Sequence, residues 1–318
     1  MKTLYYSHPD FLDHDTGPGH PECANRLKAI NQALAGKEFA GLSRVEPSIA
    51  EDVEDKLRLI HTPAMIARVM GKIPNQGRSY LDADTVVSPG SKQAALLAVS
   101  AACNAVDRIC GAEADNAFCG VRPPGHHAEP GLAMGFCLFN NIAIAAEYAR
   151  THHKLEKVAI VDFDVHHGNG TQAAFNGQPR VFYASSHQWP FYPGTGAASE
   201  SGVGNIVNVP LPAGTGGAVF RKRYQDIILP ALKAFKPQLL LISAGFDAHK
   251  DDPLASLQLV EDDFSWLTLE LMAIADQCCG GRIVSVLEGG YGLQALAAST
   301  ATHIACLAGI DRSISKND

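Results

Sequence analysis

VAIVDFDVHHGNG, residues 158–170, is the stretch from which the fold can be read. Val158, Ala159, Ile160 and Val161 form a run of β-branched and small apolar residues, the pattern of a strand buried on both faces. Directly after it come Asp162, Asp164, His166 and His167, with Asn169 beyond them on a glycine-flanked loop. Along an extended backbone residues two apart share a face. Asp162, Asp164 and His166 are therefore expected to point one way, and Val165 and His167 the other. Ligands of open α/β sheets collect beyond the carboxyl ends of strands, where this cluster falls. Asp and His also populate turns, but burying so many ionisable groups without a partner charge costs on the order of 2–7 kcal/mol even per neutral group. A bound cation answers that cost, and the cluster reads as a metal site.

Outward from this strand the same punctuation recurs. Strand-like runs are expected at Leu4–Tyr6, Ala117–Val121, Val181–Ser185, Ile206–Val209, Leu239–Ser243 and Ile283–Leu287. Helical patterns fall between most of them: about fifteen residues from Cys23, then Pro63–Met70, Ser91–Cys110, Asn140–His153, Gly217–Phe235, Glu261–Gln277 and Leu293–Leu307. The segment NQGRSYLDADTVVSPGS reads as loop. Strands alternating with helices mean right-handed crossovers and a parallel sheet covered on both faces. The class is α/β, doubly wound, and residues 1–318 are expected to form a single domain, since no repeat, linker or composition shift divides them.

Composition narrows the function. The chain has 318 residues, is 46% hydrophobic and carries a net charge of −7, with no apolar run of membrane-spanning length. No basic cluster is visible, which argues against nucleic acid as the partner. MKTLYYSHPD has no apolar signal-peptide core, and the eight cysteines include no C-x-x-C pair. Cys103, Cys110, Cys119 and Cys306 are expected as buried thiols, and a reducing cytoplasm is the expected compartment.

Four of the strands run into polar loops. RPPGHHAEPGLAMGFCLFNN follows Val121 and holds His126 and His127 behind Pro123, Pro124 and Gly125. AGFDAHKDDPL follows Ser243 and offers Asp247, and EGGYG follows Leu287 and offers Tyr291 beyond two glycines. Singly these have ordinary explanations in packing and turns. Together they supply a carboxylate–imidazole–carboxylate metal set, two histidines for proton transfer and a phenol to stabilise an oxyanion. Three protein ligands and an open position suit catalytic zinc, a Lewis acid towards a carbonyl. Asp162 and Asn169, one charged and one neutral, are candidates to orient the two histidines and drive their pKa values apart.

These motifs, with VDFDVHHGNGTQ, LEGGYGL and the amino-terminal TGPGHPECANRL, resemble those of histone deacetylases, most closely the class II type and bacterial deacetylase-like amidohydrolases. The match runs from about Thr16 to the final helix. It implies the arginase/deacetylase fold, with about eight parallel strands. Carried over by position, it makes Asp164, His166 and Asp247 the zinc ligands, with iron(II) the other candidate metal. His127 with Asn169 becomes the general base and acid, His126 with Asp162 the electrostatic partner, and Tyr291 the phenol that polarises the carbonyl. Gly135 and Phe136 would line an acyl channel facing Tyr192, where the family often has Phe, and the diglycine Gly289–Gly290 would approach the substrate. Asp84 matches a rim acid that holds the substrate backbone, and structural potassium is implied near Asp162, Asp164, His166 and Ser185.

The resemblance implies removal of acetyl or short acyl groups from lysine side chains or a related small acylated amine, with a homo-oligomer left open. Polyamine-selective relatives place Glu seven positions beyond the metal-binding Asp, where this chain has Leu254. Acetylpolyamine hydrolysis is the alternative. A two-manganese ureohydrolase ranks lower because carboxylate ligands are replaced by His126, His127 and Tyr291. A non-catalytic acyl-lysine binder also ranks lower, because the metal ligands and the tyrosine are all present.

Overall fold

The computed structural model describes residues 1–310; the last eight residues of the expected domain lie outside the described residues. The strands are β1 (Thr3–Tyr6), β2 (Ser43–Val45), β3 (Ser79–Tyr80), β4 (Val86–Val87), β5 (Asn116–Cys119), β6 (Val158–Asp162), β7 (Val181–Gln188), β8 (Ile206–Leu211), β9 (Leu239–Ala244) and β10 (Ile283–Leu287). Eight of them form one sheet in the order β2-β1-β5-β10-β9-β6-β7-β8. Every neighbouring pair in it is parallel. Val158, Ala159, Ile160 and Val161 are fully buried, as their apolar run required of a strand covered on both faces.

The helices are α1 (Asn25–Ala33), α2 (Val53–Leu57), α3 (Pro63–Lys72), α4 (Ser91–Cys110), α5 (Asn141–Thr151), α6 (Asn169–Phe175), α7 (Gly217–Arg223), α8 (Leu229–Phe235), α9 (Glu261–Cys279) and α10 (Leu293–Ala308). Local chemistry sets their ends. Thr62 caps α3, its Oγ1 accepting from Met65 N at 3.2 Å ahead of Pro63 in the first turn. Asn140 caps α5 through a 3.0 Å bond from Ala143 N, and Gly280 closes α9 at φ +61°. The alanines of α4 let it lie close to α5, and together they pack over β5, β10, β6 and β9. A second group, α1, α9 and α10, packs on itself and the sheet.

Several expectations need correction. The segment expected as loop around residues 75–91 contains the antiparallel pair β3–β4, two residues per strand and below what periodicity can register. The edge strand β2 went unread for the same reason. The first helix is nine residues, not fifteen, and 217–235 is helical throughout but passes through a π-helical turn at Tyr224–Ile228. Asn169 is not on a loop: it opens α6, and Gln172 N already donates to Gly168 O at 3.0 Å. Glycine is needed at position 170 because a Cβ there would run into the Ala128 carbonyl. Cys103 and Cys119 are buried, but Cys110 and Cys306 are only partly so.

Candidate active site

The strands β5, β10, β9 and β6 are consecutive neighbours in the sheet. Strands lie about 4.8 Å apart, so the loops leaving their carboxyl ends meet over one small area. Three of these loops carry the side chains closest to the centre. His166 Nδ1 lies 3.1 Å from Asp164 Oδ1 and 3.2 Å from Asp247 Oδ2, all three groups being buried or nearly so. Ligands 2.0–2.2 Å from a tetrahedral ion sit about 3.3 Å from one another, so this spacing suits a shared cation. The electrostatics agree. Burial and the neighbouring Asp164 push the Asp247 carboxyl up to about 7. Against the burial penalty, the two carboxylates hold positive charge on His166 up to about 10. Gly289 completes the cradle: its N–H donates to Asp164 Oδ2 at 2.7 Å, and a Cβ there would run into both carboxylates. The donor set fits zinc.

The convergence arises differently from the alternation expected along a strand. β6 ends at Asp162, and the chain then turns on its own carboxylates. Asp164 N donates to Asp162 Oδ1 at 3.1 Å, His166 N to Asp164 Oδ1 at 2.8 Å, and Val165 N to Asp247 Oδ1 at 2.8 Å. Short polar side chains that bond the backbone two residues on replace the strand ladder. His167 faces away, as expected, between Thr195 Oγ1 at 2.8 Å and Gln172 Oε1 at 2.9 Å.

His126 and His127 sit side by side, ring centroids 4.1 Å apart, with different partners. His126 Nδ1 meets Asp162 Oδ2 at 3.0 Å, and that oxygen also accepts from Tyr183 at 3.0 Å. Burial opposes charge on His126, but Asp162, Asp164 and Glu288 carry its pKa well above the usual value. His127 goes the other way, lowered well below the usual range by burial and by the charges of His126 and His166. Its Nδ1 lies 2.8 Å from Asn169 Oδ1, while Asn169 Nδ2 donates to Glu129 Oε1 at 2.7 Å. The amide therefore turns its oxygen to the ring, which places the proton on His127 Nδ1 and leaves Nε2 as a bare acceptor.

Tyr291 closes the site from the β10 loop. Its ring lies 5.0 Å from the Arg26 guanidinium and 5.9 Å from Phe136. Burial raises its pKa well above 10 despite Arg26, so it stays an O–H donor at neutral pH. Gly135 and Phe136 both have positive φ, +57° and +67°, and a Cβ on Gly135 would come within 2.6 Å of the His127 ring. Tyr192 edges onto His127 at 5.1 Å between centroids and is 40% exposed, at the mouth. Phe191, which the sequence did not single out, stacks on His166 at 5.2 Å. Asp84 is exposed near this rim, its carbonyl accepting from His20 at 3.0 Å. Leu254 is partly buried, its N–H on Asp252 Oδ1 at 2.9 Å. The other Asp252 oxygen takes Tyr291 N at 2.6 Å and Gly292 N at 3.0 Å. Ser185 pairs with Asp162 across β6–β7, its hydroxyl 2.9 Å from His187. Gly290 gives its carbonyl to Arg26 Nε at 2.6 Å.

Two supporting groups were missed in the sequence. Glu288 is fully buried: Oε2 accepts from Gly125 N at 2.7 Å and His126 N at 3.1 Å, and Oε1 from Ser243 at 3.1 Å. Glu22, also fully buried, accepts from Arg122 Nη2 at 2.8 Å and Arg26 Nη1 at 3.3 Å, which ties the amino-terminal loop beneath Tyr291. A lone carboxylate ending an apolar strand was the available signal for Glu288. Nothing local distinguishes Glu22 from an ordinary helix-start acid.

The all-parallel eight-stranded sheet of this chain, in the order given above and with helices around it, has the arginase/deacetylase fold. The crystal structure of the HDA15 HD domain is similar at TM-score 0.90 and 36% identity, covering 97% of this chain and 89% of that one. The histone deacetylase domain matches residues 20–307, and the chain belongs to that family, hydrolases acting on amide bonds. It is 37% identical to chloroplastic histone deacetylase 14 of Arabidopsis thaliana, over 99% of this chain and 79% of that protein. It is 38% identical to polyamine deacetylase HDAC10 of Mus musculus, over 91% of this chain and 45% of that protein.

Proposed function

We propose that this chain is a zinc-dependent deacetylase for acetylated, or other short-acylated, lysine side chains of peptides and proteins or a related small amine. The observation that carries this reading is the pairing of a buried Asp164–His166–Asp247 set with two adjacent histidines held by different partners, His126 by the Asp162 carboxylate and His127 by the Asn169 amide. A divalent ion held by those three residues supplies Lewis acidity to the amide carbonyl. The chain's own groups do the rest. His127, neutral with Nε2 bare, takes the proton of the attacking water and later delivers a proton to the departing amine as the C–N bond breaks. His126, kept cationic by Asp162, stabilises the negative charge developing beside it. Tyr291 donates a hydrogen bond to the carbonyl oxygen as it gains charge. Gly135, Phe136 and Tyr192 flank the acyl-lysine stem, the Gly289–Gly290 backbone lies beside it, and Asp84 receives the substrate backbone at the rim.

Lysine substrates are favoured over polyamines by one feature. Leu254 offers no charge for a second ammonium, and both Asp252 oxygens are engaged by backbone N–H groups. We also assign structural potassium to Asp162, Asp164, His166 and Ser185. Burial pushes the Asp162 carboxyl up, and a cation offsets its repulsion with Asp164. The chain acts as one domain. The cytoplasm is the proposed compartment, supported by Cys23, Cys103, Cys110, Cys119, Cys137, Cys278 and Cys279 being thiols. No described helix is long and apolar enough to cross a membrane.

The test is turnover of a fluorogenic acetyl-lysine peptide by wild type and Tyr291→Phe. The variant should retain zinc and lose about 100-fold in kcat, the scale of one oxyanion donor. An active Tyr291→Phe enzyme would return Tyr291 to a packing role.

A further inference from the structure

A second group of metal-ligating side chains lies away from the carboxyl edge of the sheet. In parallel β-α-β units the helices run against the strands, so their carboxyl ends sit at the strands' amino ends. There the last turn of α4 presents Asp107, and the end of α5 presents His152 and His153, five residues before β6 begins. One ligand atom from each lies within 4.8 Å of the others. His153 Nε2 is 2.7 Å from Asp107 Oδ1, and the two imidazole rings are 5.0 Å apart.

The surroundings orient these groups. Tyr148, one turn before His152, stacks on the His152 ring at 4.8 Å with the planes 12° apart. The same tyrosine donates its hydroxyl to Asp107 Oδ2 at 3.2 Å, which leaves Oδ1 turned towards the histidines. Lys56 covers the tyrosine ring at 4.8 Å, and its charge is paired with Asp52. A hydrogen bond to a ligating carboxylate and a locked imidazole are the outer contacts that metal sites use to fix their ligands. An isolated Asp107–His153 ion pair would require neither His152 nor its stacking.

We propose that Asp107, His152 and His153 bind a second divalent ion, independent of the catalytic reading. Two imidazoles and one carboxylate select zinc, copper, nickel or cobalt over magnesium or calcium. His152 is exposed, so the remaining coordination positions open to water and the ion exchanges with solvent. Occupancy joins the end of α4 to the α5–β6 connection. Binding to the folded state alone raises stability by mass action.

Zinc counted by equilibrium dialysis at micromolar free metal tests this on wild type, Asp107→Asn and His153→Ala. The amide introduced by Asp107→Asn can still accept from Tyr148, and the exposed His152→Ala serves if either variant fails to fold. The expected result is one zinc fewer per chain in each variant, a smaller zinc-induced rise in Tm and unchanged deacetylation. Equal zinc counts in wild type and variants would overturn the proposal. So would magnesium occupying the site as readily as zinc, since an unselective charged patch would then explain the binding. A failed catalytic assignment would leave the wild-type minus variant difference untouched.

Discussion

Glu288 offers the sharpest separation of position from charge in this site. Its carboxylate accepts from Gly125 N and His126 N on one oxygen and from the Ser243 hydroxyl on the other. Glu288→Ala would orphan two buried backbone donors and one hydroxyl. At about 1–3 kcal/mol for each of these three unsatisfied donors, the loss is about 3–9 kcal/mol unless the loop moves to find water. The loop carrying His126 and His127 would then relax, and a displacement of about 1 Å costs on the order of 100-fold in rate. Glu288→Gln is different. Its amide oxygen can accept both N–H groups, and its NH₂ can donate to Ser243, whose hydroxyl can accept as well as donate. Geometry survives while a negative charge beside His126 is lost. The expected outcome is a kcat about 100-fold lower in Glu288→Ala with KM little changed, and within about tenfold of wild type in Glu288→Gln. Steady-state kinetics on an acetyl-lysine peptide, with zinc content and Tm measured on the same samples, would decide. Wild-type kcat in Glu288→Ala alongside a lowered Tm would show that Glu288 supports the fold without positioning the histidines. Equal large losses in both variants would shift the effect from geometry to charge.

Asp164→Ala and Asp247→Ala should each bind one zinc fewer per chain than wild type and lose deacetylase activity while staying folded, and a wild-type zinc count in either would remove it from the ligand set. Glu22 gives a pH signature, because Arg122, despite the burial penalty, holds its carboxyl down to about 2. The native state thus favours the ionised form. Its contribution is complete above the ordinary value of 4.5, is lost as pH falls towards 2 and amounts to about 3 kcal/mol. Glu22→Gln should lower stability at pH 7 by about 3–5 kcal/mol, and denaturant melts should show less loss than wild type between pH 5 and pH 3. Leu254→Glu should move the kcat/KM ratio from acetyl-lysine towards acetylspermidine; a wild type that already prefers acetylpolyamines would place selectivity elsewhere on the rim.

The sequence by itself determined the longer strands and helices and singled out the polar residues at their ends. Alternating strands and helices with apolar runs such as Val158–Val161 leave few arrangements besides a covered parallel sheet, because so many bare strand faces must be buried. Asp164, His166, Asp247, the histidine pair and Tyr291 were legible because ionisable groups at the ends of apolar strands need a reason to be there. Tertiary structure alone decided the order β5-β10-β9-β6, which joins loops separated by more than a hundred residues. It also decided which oxygen of which carboxylate faces which histidine. Periodicity along one strand expected Asp162, Asp164 and His166 to share a face; in the fold Asp162 goes to His126, while the other two meet Asp247. Glu22 looks like an ordinary helix-start acid until the fold buries it, and only the fold supplies the donors that Glu22 and Glu288 hold. Pattern reports how a residue relates to its neighbours in the chain, whereas charge state and partnership depend on burial and on groups that only long-range packing brings within 3 Å.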